Sequence, residues 1–150
     1  MVMGERAIMS REILFKAKRK DNGEWVEGQY VYITNPLTED GKPIKHLICN
    51  GTNIFNDLID PDTLCQYTGL TDKDGKKIWE NDIISIHAYS YYEPEDDYFG
   101  VVTYCEKDAC WSLNNNEKYG EIICECFGSY TTEIINHGNI FDNPDLLEVE

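Results

Sequence analysis

The sequence has no long hydrophobic run. Its apolar stretches reach only about four residues, as at positions 30–33, whereas a membrane-spanning helix needs ~20. Residues 1–10 also lack the apolar centre of a signal peptide. We interpret them as a short leader or an alternative start, since Met9 stands just ahead of the first patterned segment. We therefore expect a cytoplasmic protein with no membrane partner.

Positive charge is also scarce. The chain has 28 acidic and 13 basic residues, a formal net charge of −15, and residues 76–150 alone hold 16 acidic and 4 basic side chains. Direct nucleic-acid binding is not expected, because that affinity comes largely from Lys and Arg. The basic exception is a cluster at the end of a predicted strand, where such charges typically prevent strand pairing. The alternative is an anion- or nucleic-acid-binding role. The cluster is Lys16, Lys18, Arg19 and Lys20.

Catalytic signatures are missing as well. The sequence contains no G-x-S-x-G, P-loop or H-E-x-x-H motif. His87 alternates in phase with Tyr89 and Tyr91, which is equally typical of a half-exposed aromatic surface, and a pairing of His87 with Cys110 stays open. Glu95, Asp96 and Asp97 lie in a predicted loop, residues 91–99, and only four lysines follow residue 75. Both observations favour a solvated acidic surface over a metal-dependent nuclease site. We predict no catalytic residue and no cofactor.

The six cysteines could form disulfides or a zinc site, or they could be buried as free thiols. A disulfide framework needs an oxidising compartment, which nothing else suggests. A zinc site would use a C-x4-C and a C-x-C pair, whereas zinc ribbons typically use C-x2-C. We predict reduced structural thiols, with a zinc site as the alternative whose ligands would be Cys105, Cys110, Cys124 and Cys126.

The segment around Asp72, Asp74 and Gly75 invites comparison with a calcium loop. Placing Gly75 at the sixth position of an EF-hand puts Leu70 first and Asn81 twelfth, and neither supplies the required carboxylate. A tight turn explains the segment better, because glycine adopts a positive φ without steric cost.

Period-2 patterning dominates the chain and predicts many short strands. Asn22-Gly23 predicts a hairpin turn, and Pro144 predicts a short helical turn near the end. The strands are predicted at 12–19, 25–34, 45–49, 64–67, 77–79, 82–89, 101–105, 110–114, 122–127 and 132–135. Residues 50–62 are predicted to be irregular. Many short strands separated by Gly, Asn and Asp clusters favour a small barrel or sandwich. We expect a mainly antiparallel β protein with a small barrel and short helical turns. The predicted core or inter-strand residues are Trp25, Val31, Ile33, Tyr67, Ile78, Ile83, Val102 and Ile123.

Four stretches carry a family resemblance. The string YTGLTDKDGKKIWENDII is similar to the signature of the YopX family of phage and prophage proteins. REILFKAKRKDNGEWVEG resembles the opening hairpin of that family, IDPDTLCQYTG its lead-in and NIFDNPDLL its closing motif. Asn81 stands where the family usually has glycine, and Asn tolerates left-handed φ. The resemblance implies one β-rich, SH3-like domain over residues 11–150 and a phage origin, and it provides no catalytic residues.

These observations favour a phage accessory protein that binds another, unidentified protein. One form is mimicry of nucleic acid by carboxylates, and a homo-oligomer is also open because tyrosine-rich stretches are enriched at interfaces. The alternative is a small metal-dependent enzyme of nucleic-acid or nucleotide metabolism. The candidate binding residues are Tyr89, Tyr91, Tyr92, Glu93, Glu95, Asp96, Asp97, Tyr98 and Phe99.

Overall fold

The computed structural model describes residues 12–50, 53–89, 96–114 and 131–147. The chain divides into two compact units, Met1–Gly69 and Leu70–Glu150. Each unit has its own hydrophobic core. The prediction of one domain over residues 11–150 stays a prediction.

Unit 1 is built from β1 (Phe15–Lys18), β2 (Trp25–Leu37), β3 (Pro43–Asn50), β4 (Asn53–Leu58) and β5 (Cys65–Thr71). They pair antiparallel in the order β4-β3-β2-β1-β5. A short 3-10 helix, Pro61–Thr63, is capped at its N-terminus by Asp60, whose side chain accepts a hydrogen bond from Asp62 N. The core consists of Ala17, Ile48 and Ile59, against which Phe15, Val26, Tyr30 and Leu64 pack.

Unit 2 begins at the end of β5, which turns back into β6 (Lys77–Trp79). Asp72 Oδ1 accepts hydrogen bonds of 2.9 Å from both Asp74 N and Lys76 N, and Gly75 has φ +83°. The carboxylate thus closes a turn on its own backbone, and the predicted tight turn is confirmed. Asn81 has φ 71°, so it takes the left-handed conformation expected of it.

The rest of unit 2 is a four-stranded antiparallel sheet in the order β10-β7-β8-β9. Its strands are β7 (Asp82–Tyr89), β8 (Asp96–Cys105), β9 (Cys110–Asn114) and β10 (Thr131–Asn139). A second 3-10 helix, Pro144–Leu147, follows. One face of the sheet packs the core of Ile78, Ile84, Ile86, Val102, Leu113 and Ile134, with Leu70, Tyr98 and Trp111 alongside.

The mainly β, antiparallel architecture with short helical turns is confirmed. The strand pairings of the described residues do not show a closed barrel, so the SH3-like barrel stays a prediction. Several boundaries differ from the prediction, since β2 extends to Leu37, β5 to Thr71 and β10 to Asn139. Residues 53–58 form β4 where an irregular segment was expected, because pairing with β3 overrides the low strand preference of Asn and Asp. Residues 96–99 belong to β8 and not to a loop. The strand predicted at 122–127 lies outside the described residues.

The predicted core is confirmed in part. Tyr67, Ile78, Ile83 and Val102 are buried. Val31 and Ile33 are 40% and 36% exposed and pair with Leu47 and Lys45 of β3, so they are inter-strand residues and not core residues. The reason is register: Tyr30 pairs with core residue Ile48, so Val31 lies on the opposite face of the sheet. Ile123 is outside the described residues.

Trp25 is half-buried because the predicted basic cluster partly covers it. The Nζ atoms of Lys16 and Lys18 lie 4.5 Å and 5.4 Å from the centre of its ring. Arg19 forms a bidentate ion pair with Asp21. Three of the four cluster residues, Lys16, Lys18 and Arg19, therefore have partners within unit 1.

Within the described residues, no helix is long and apolar enough to cross a membrane.

Candidate functional site

Unit 2 presents a polar and aromatic surface on the face of its sheet that is opposite the core. Along β7, Ile84 and Ile86 are buried in the core, so Ser85 and His87 point to the other face. Directly paired residues of neighbouring strands share a face, which places partners from β8 and β10 beside them. We call this surface the outer face and define it as Ser85, His87, Asp97, Phe99, Glu133, Ile135 and His137.

The first row of the outer face is centred on His87. It is paired with Asp97 on β8 and with Glu133 on β10, so a carboxylate lies on each side of the ring. His87 Nδ1 donates a hydrogen bond to Asp97 Oδ1. The side chain of Asp97 is 80% exposed, and Glu133 is also exposed. This row therefore presents negative charge to solvent.

The second row is centred on Ser85, which is paired with Phe99 and with Ile135. Phe99 and Ile135 are 44% and 38% exposed. A β-bulge between Asn136 and Gly138 adds His137 to this row. Ser85 Oγ and His137 Nε2 share a hydrogen bond of 2.8 Å, and the ring of His137 lies 5.9 Å from that of Phe99.

Hydrogen bonds of Asp82 and Asn136 stabilise the bulge that carries His137. Asp82 Oδ2 accepts hydrogen bonds of 2.8 Å from Trp79 N and from Asn136 Nδ2. Asn136 Oδ1 in turn accepts from Gly138 N at 3.0 Å. These bonds hold the bulge in one conformation, so the position of His137 depends on Asp82 and Asn136.

The closing motif of the sequence completes this network. Asn139 Oδ1 accepts hydrogen bonds of 2.9 Å from Phe141 N and Asp142 N, while Asn143 Oδ1 accepts from Asn139 N at 3.3 Å. The string NIFDNPDLL is therefore a structural turn that ends β10.

The outer face does not assemble a nucleophilic relay. Such a relay needs one histidine between the nucleophile and the acid, whereas Ser85 bonds to His137 and Asp97 bonds to His87. The described residues contain no group of three or more His, Cys, Asp or Glu side chains that could hold a metal ion. The arrangement combines hydrogen-bonding groups, carboxylates and exposed apolar surface, which are the elements of a contact surface.

Part of the predicted binding stretch lies on this face. Asp97 and Phe99 belong to it, whereas Tyr98 points to the other side and packs against the core. The backbone of Tyr89 ends β7 and that of Asp96 begins β8. Tyr91, Tyr92, Glu93 and Glu95 lie outside the described residues.

The other members of the face come from elsewhere in the sequence. His87 was recognised by its alternation with Tyr89, while Ser85, Glu133, Ile135 and His137 were missed. The alternation of Glu133 and Ile135 with buried Ile134 is a signal for two of them. The contact of Ser85 with His137 spans 52 residues, so no local pattern indicates it.

The predicted cysteine sites have a mixed outcome. Cys105 and Cys110 are paired across β8 and β9, while Cys124 and Cys126 lie outside the described residues. The zinc alternative therefore stays untested. In the structure His87 forms a hydrogen bond with Asp97, and the register pairs Cys110 with Cys105.

Comparison with known proteins agrees with the sequence resemblance. The model of the family described as YopX protein matches residues 14–148. Among solved structures, the chain is similar to protein EF1440 from Enterococcus faecalis, with 21% identity, a TM-score of 0.53 and coverage of 93% of this chain and 100% of that one. At that identity the likeness shows the fold alone. No curated protein matches the chain. Since the family model spans nearly all of the sequence, the chain belongs to the YopX protein family.

Proposed function

We propose that this chain is an accessory protein of phage or prophage origin that acts in the host cytoplasm by binding another protein through the outer face. The observation that carries the proposal is the row of Phe99, Ser85 and Ile135 beside the row of Asp97, His87 and Glu133. Exposed apolar groups next to charged groups are typical of the core and rim of a protein interface.

Charge indicates the kind of partner. Unit 2, residues 70–150, holds 18 acidic and 5 basic side chains, while residues 1–69 hold 10 acidic and 8 basic ones. A basic surface would therefore be attracted to unit 2, and opposite charges accelerate encounter. Mimicry of nucleic acid is one form of this proposal, in which the carboxylates occupy the basic groove of a host DNA-binding or defence protein.

The experiment is affinity capture from host lysate with the complete chain as bait, at low and at high salt. The test bait carries Asp97→Asn and Glu133→Gln. The control bait carries Glu106→Gln and Asp145→Asn, which remove the same charge at exposed positions outside the outer face. A partner that is retained by the control, lost from the test bait and weakened by salt supports the proposal.

Mimicry has its own readout. Duplex DNA should compete with the chain for the captured partner if both occupy one groove. A partner that binds both at once would exclude mimicry while leaving protein binding intact. If neither bait captures a partner and the purified chain shows a metal-dependent activity on nucleotides or DNA, the enzyme alternative replaces the binding role.

A further inference from the structure

The β8–β9 hairpin is closed by two cysteines. Cys105 ends β8, Cys110 begins β9, and the two are direct partners in the register. The turn between them, residues 106–109, includes Ala109 at φ 54°. Cys105 Sγ donates to Asp108 Oδ2 across the turn at 3.6 Å.

This placement suits a disulfide. Directly paired residues of antiparallel strands have Cα atoms about 4.5–5.5 Å apart and side chains on one face. Disulfides join Cα atoms about 4.4–6.8 Å apart. Both kinds of antiparallel pair fall within that range, so the spacing of the two strands is compatible with the bond.

Accessibility separates this pair from the other described cysteines. Cys105 and Cys110 are thiols in the structure and both are partly exposed. Cys65 is buried, at 1% exposure, and is paired with Lys16, while Cys49 is paired with Gln29. Among the described cysteines, Cys105 and Cys110 alone combine solvent access with a cysteine as the direct cross-strand partner.

We propose that Cys105 and Cys110 form a reversible disulfide by exchange with a low-molecular-weight disulfide such as oxidised glutathione. The thiolate of one cysteine attacks a glutathione sulfur, which forms a mixed disulfide and releases one glutathione thiolate. The thiolate of the other cysteine then attacks the protein sulfur of the mixed disulfide and releases the second glutathione. The chain loses two protons and two electrons, and one glutathione disulfide becomes two thiols.

The disulfide would form at the edge of the sheet, and this inference does not rest on the proposed binding role. β9 is an edge strand of the four-stranded sheet. A bond from Cys105 to Cys110 would fasten that edge to β8 at the turn, so oxidation would change how easily β9 separates from the sheet. Excess reduced glutathione would reverse it.

Trypsin cleaves after Lys107, between the two cysteines, so peptide mapping can test for a disulfide that joins them. Cleavage gives peptide 78–107, which contains Cys105 alone, and peptide 108–118, which contains Cys110 alone. The folded, reduced chain is incubated with oxidised glutathione, remaining thiols are alkylated, and the digest is analysed without reductant. We expect the two peptides to be lost as separate species, to appear as one linked species, and to return after dithiothreitol.

The other four cysteines lie on different tryptic peptides, so they can be distinguished from Cys105 and Cys110. Cys49 and Cys65 share peptide 46–73, and Cys124 and Cys126 share peptide 119–150. Cys105→Ser and Cys110→Ser provide the matched controls. Each lacks the second thiol, so each should accumulate one glutathionyl group on the cysteine that remains.

Two results would overturn the proposal. One is a folded chain in which peptides 78–107 and 108–118 stay separate, whether as thiols or as glutathione adducts. The other is linkage that appears only after a metal chelator is added, which would make these thiols metal ligands and not a redox pair.

Discussion

Asp82 Oδ2 and Asn136 Nδ2 lie 2.8 Å apart although the two residues are 54 positions apart in the sequence. The same carboxylate oxygen accepts the backbone N–H of Trp79, and Asp82 is only 2% exposed. This one buried side chain joins the last residue of β6 to the bulge in β10. The bulge in turn holds His137 against Ser85, so the buried network and the outer face are parts of one arrangement.

The first prediction concerns that carboxylate. Asp82→Ala removes a buried acceptor from Trp79 N and Asn136 Nδ2, and we expect it to lower the free energy of unfolding by about 2–3 kcal/mol. Urea denaturation followed by tryptophan fluorescence measures the change. The control is Asp145→Ala at an exposed position, which should stay within about 0.5 kcal/mol of the parent. Equal effects of the two substitutions would contradict this role of Asp82.

The second prediction concerns the bulge itself. Gly138 has φ +140°, and a Cβ there would lie 2.2 Å from Asn143 Oδ1, whereas Gly41 has φ +81° and open space around it. Gly138→Ala should therefore cost about 3 kcal/mol and Gly41→Ala about 1 kcal/mol. Both values come from the same denaturation assay. A Gly138→Ala chain as stable as the Gly41→Ala chain would show that the contact with Asn143 is not close.

The third prediction is a dependence on pH. Burial acts to raise the pKa of Asp72, but hydrogen bonds from Lys76 N and Asp74 N outweigh it and hold that pKa below the ordinary 3.8. A lowered pKa means that the folded chain binds this proton less tightly than the unfolded chain. The stability contributed by the carboxylate is therefore complete above pH 3.8 and is lost as pH falls through the lower, folded value.

Asp72→Asn tests this linkage. The melting temperature of the parent should fall more between pH 6 and pH 3 than that of Asp72→Asn, because the variant has no carboxylate to protonate at the turn. Asp74→Asn, two residues away and exposed, is the matched control and should behave like the parent. If all three chains lost stability in parallel, Asp72 would make no pH-linked contribution.

Strands β7 and β10 show which parts of the outer face can be predicted from the sequence. The run from Asp82 to Tyr89 predicts its strand correctly, and the alternation of His87 with Tyr89 was recognised because period 2 is a local pattern. The pairing of Glu133 with His87 and of Ile135 with Ser85 depends on register between distant strands. The bulge shifts that register by its own backbone geometry, so His137 could not be placed from sequence.

The same limit applies to Val31 and Ile33 in unit 1, which proved to be inter-strand and not core residues. Val31 and Ile33 alternate as core residues do, yet the sheet packs its core on the face that carries Tyr30. Alternation identifies two faces without deciding which one is buried. The turn at Asp72 and the left-handed Asn81 were predictable, because side chain and backbone conformation are linked there within a few residues.

The central claim is that the outer face binds a protein partner, and two aromatic residues of β8 provide its most direct measurement. Phe99 and Tyr104 are 44% and 43% exposed and lie on opposite faces of the same strand. The affinity of the captured partner is measured by calorimetry for Phe99→Ser and for Tyr104→Ser at one salt concentration. We predict that Phe99→Ser weakens binding at least about tenfold while Tyr104→Ser leaves it near the parent value. Full affinity in the Phe99→Ser chain, or an equal loss in both, would contradict the account.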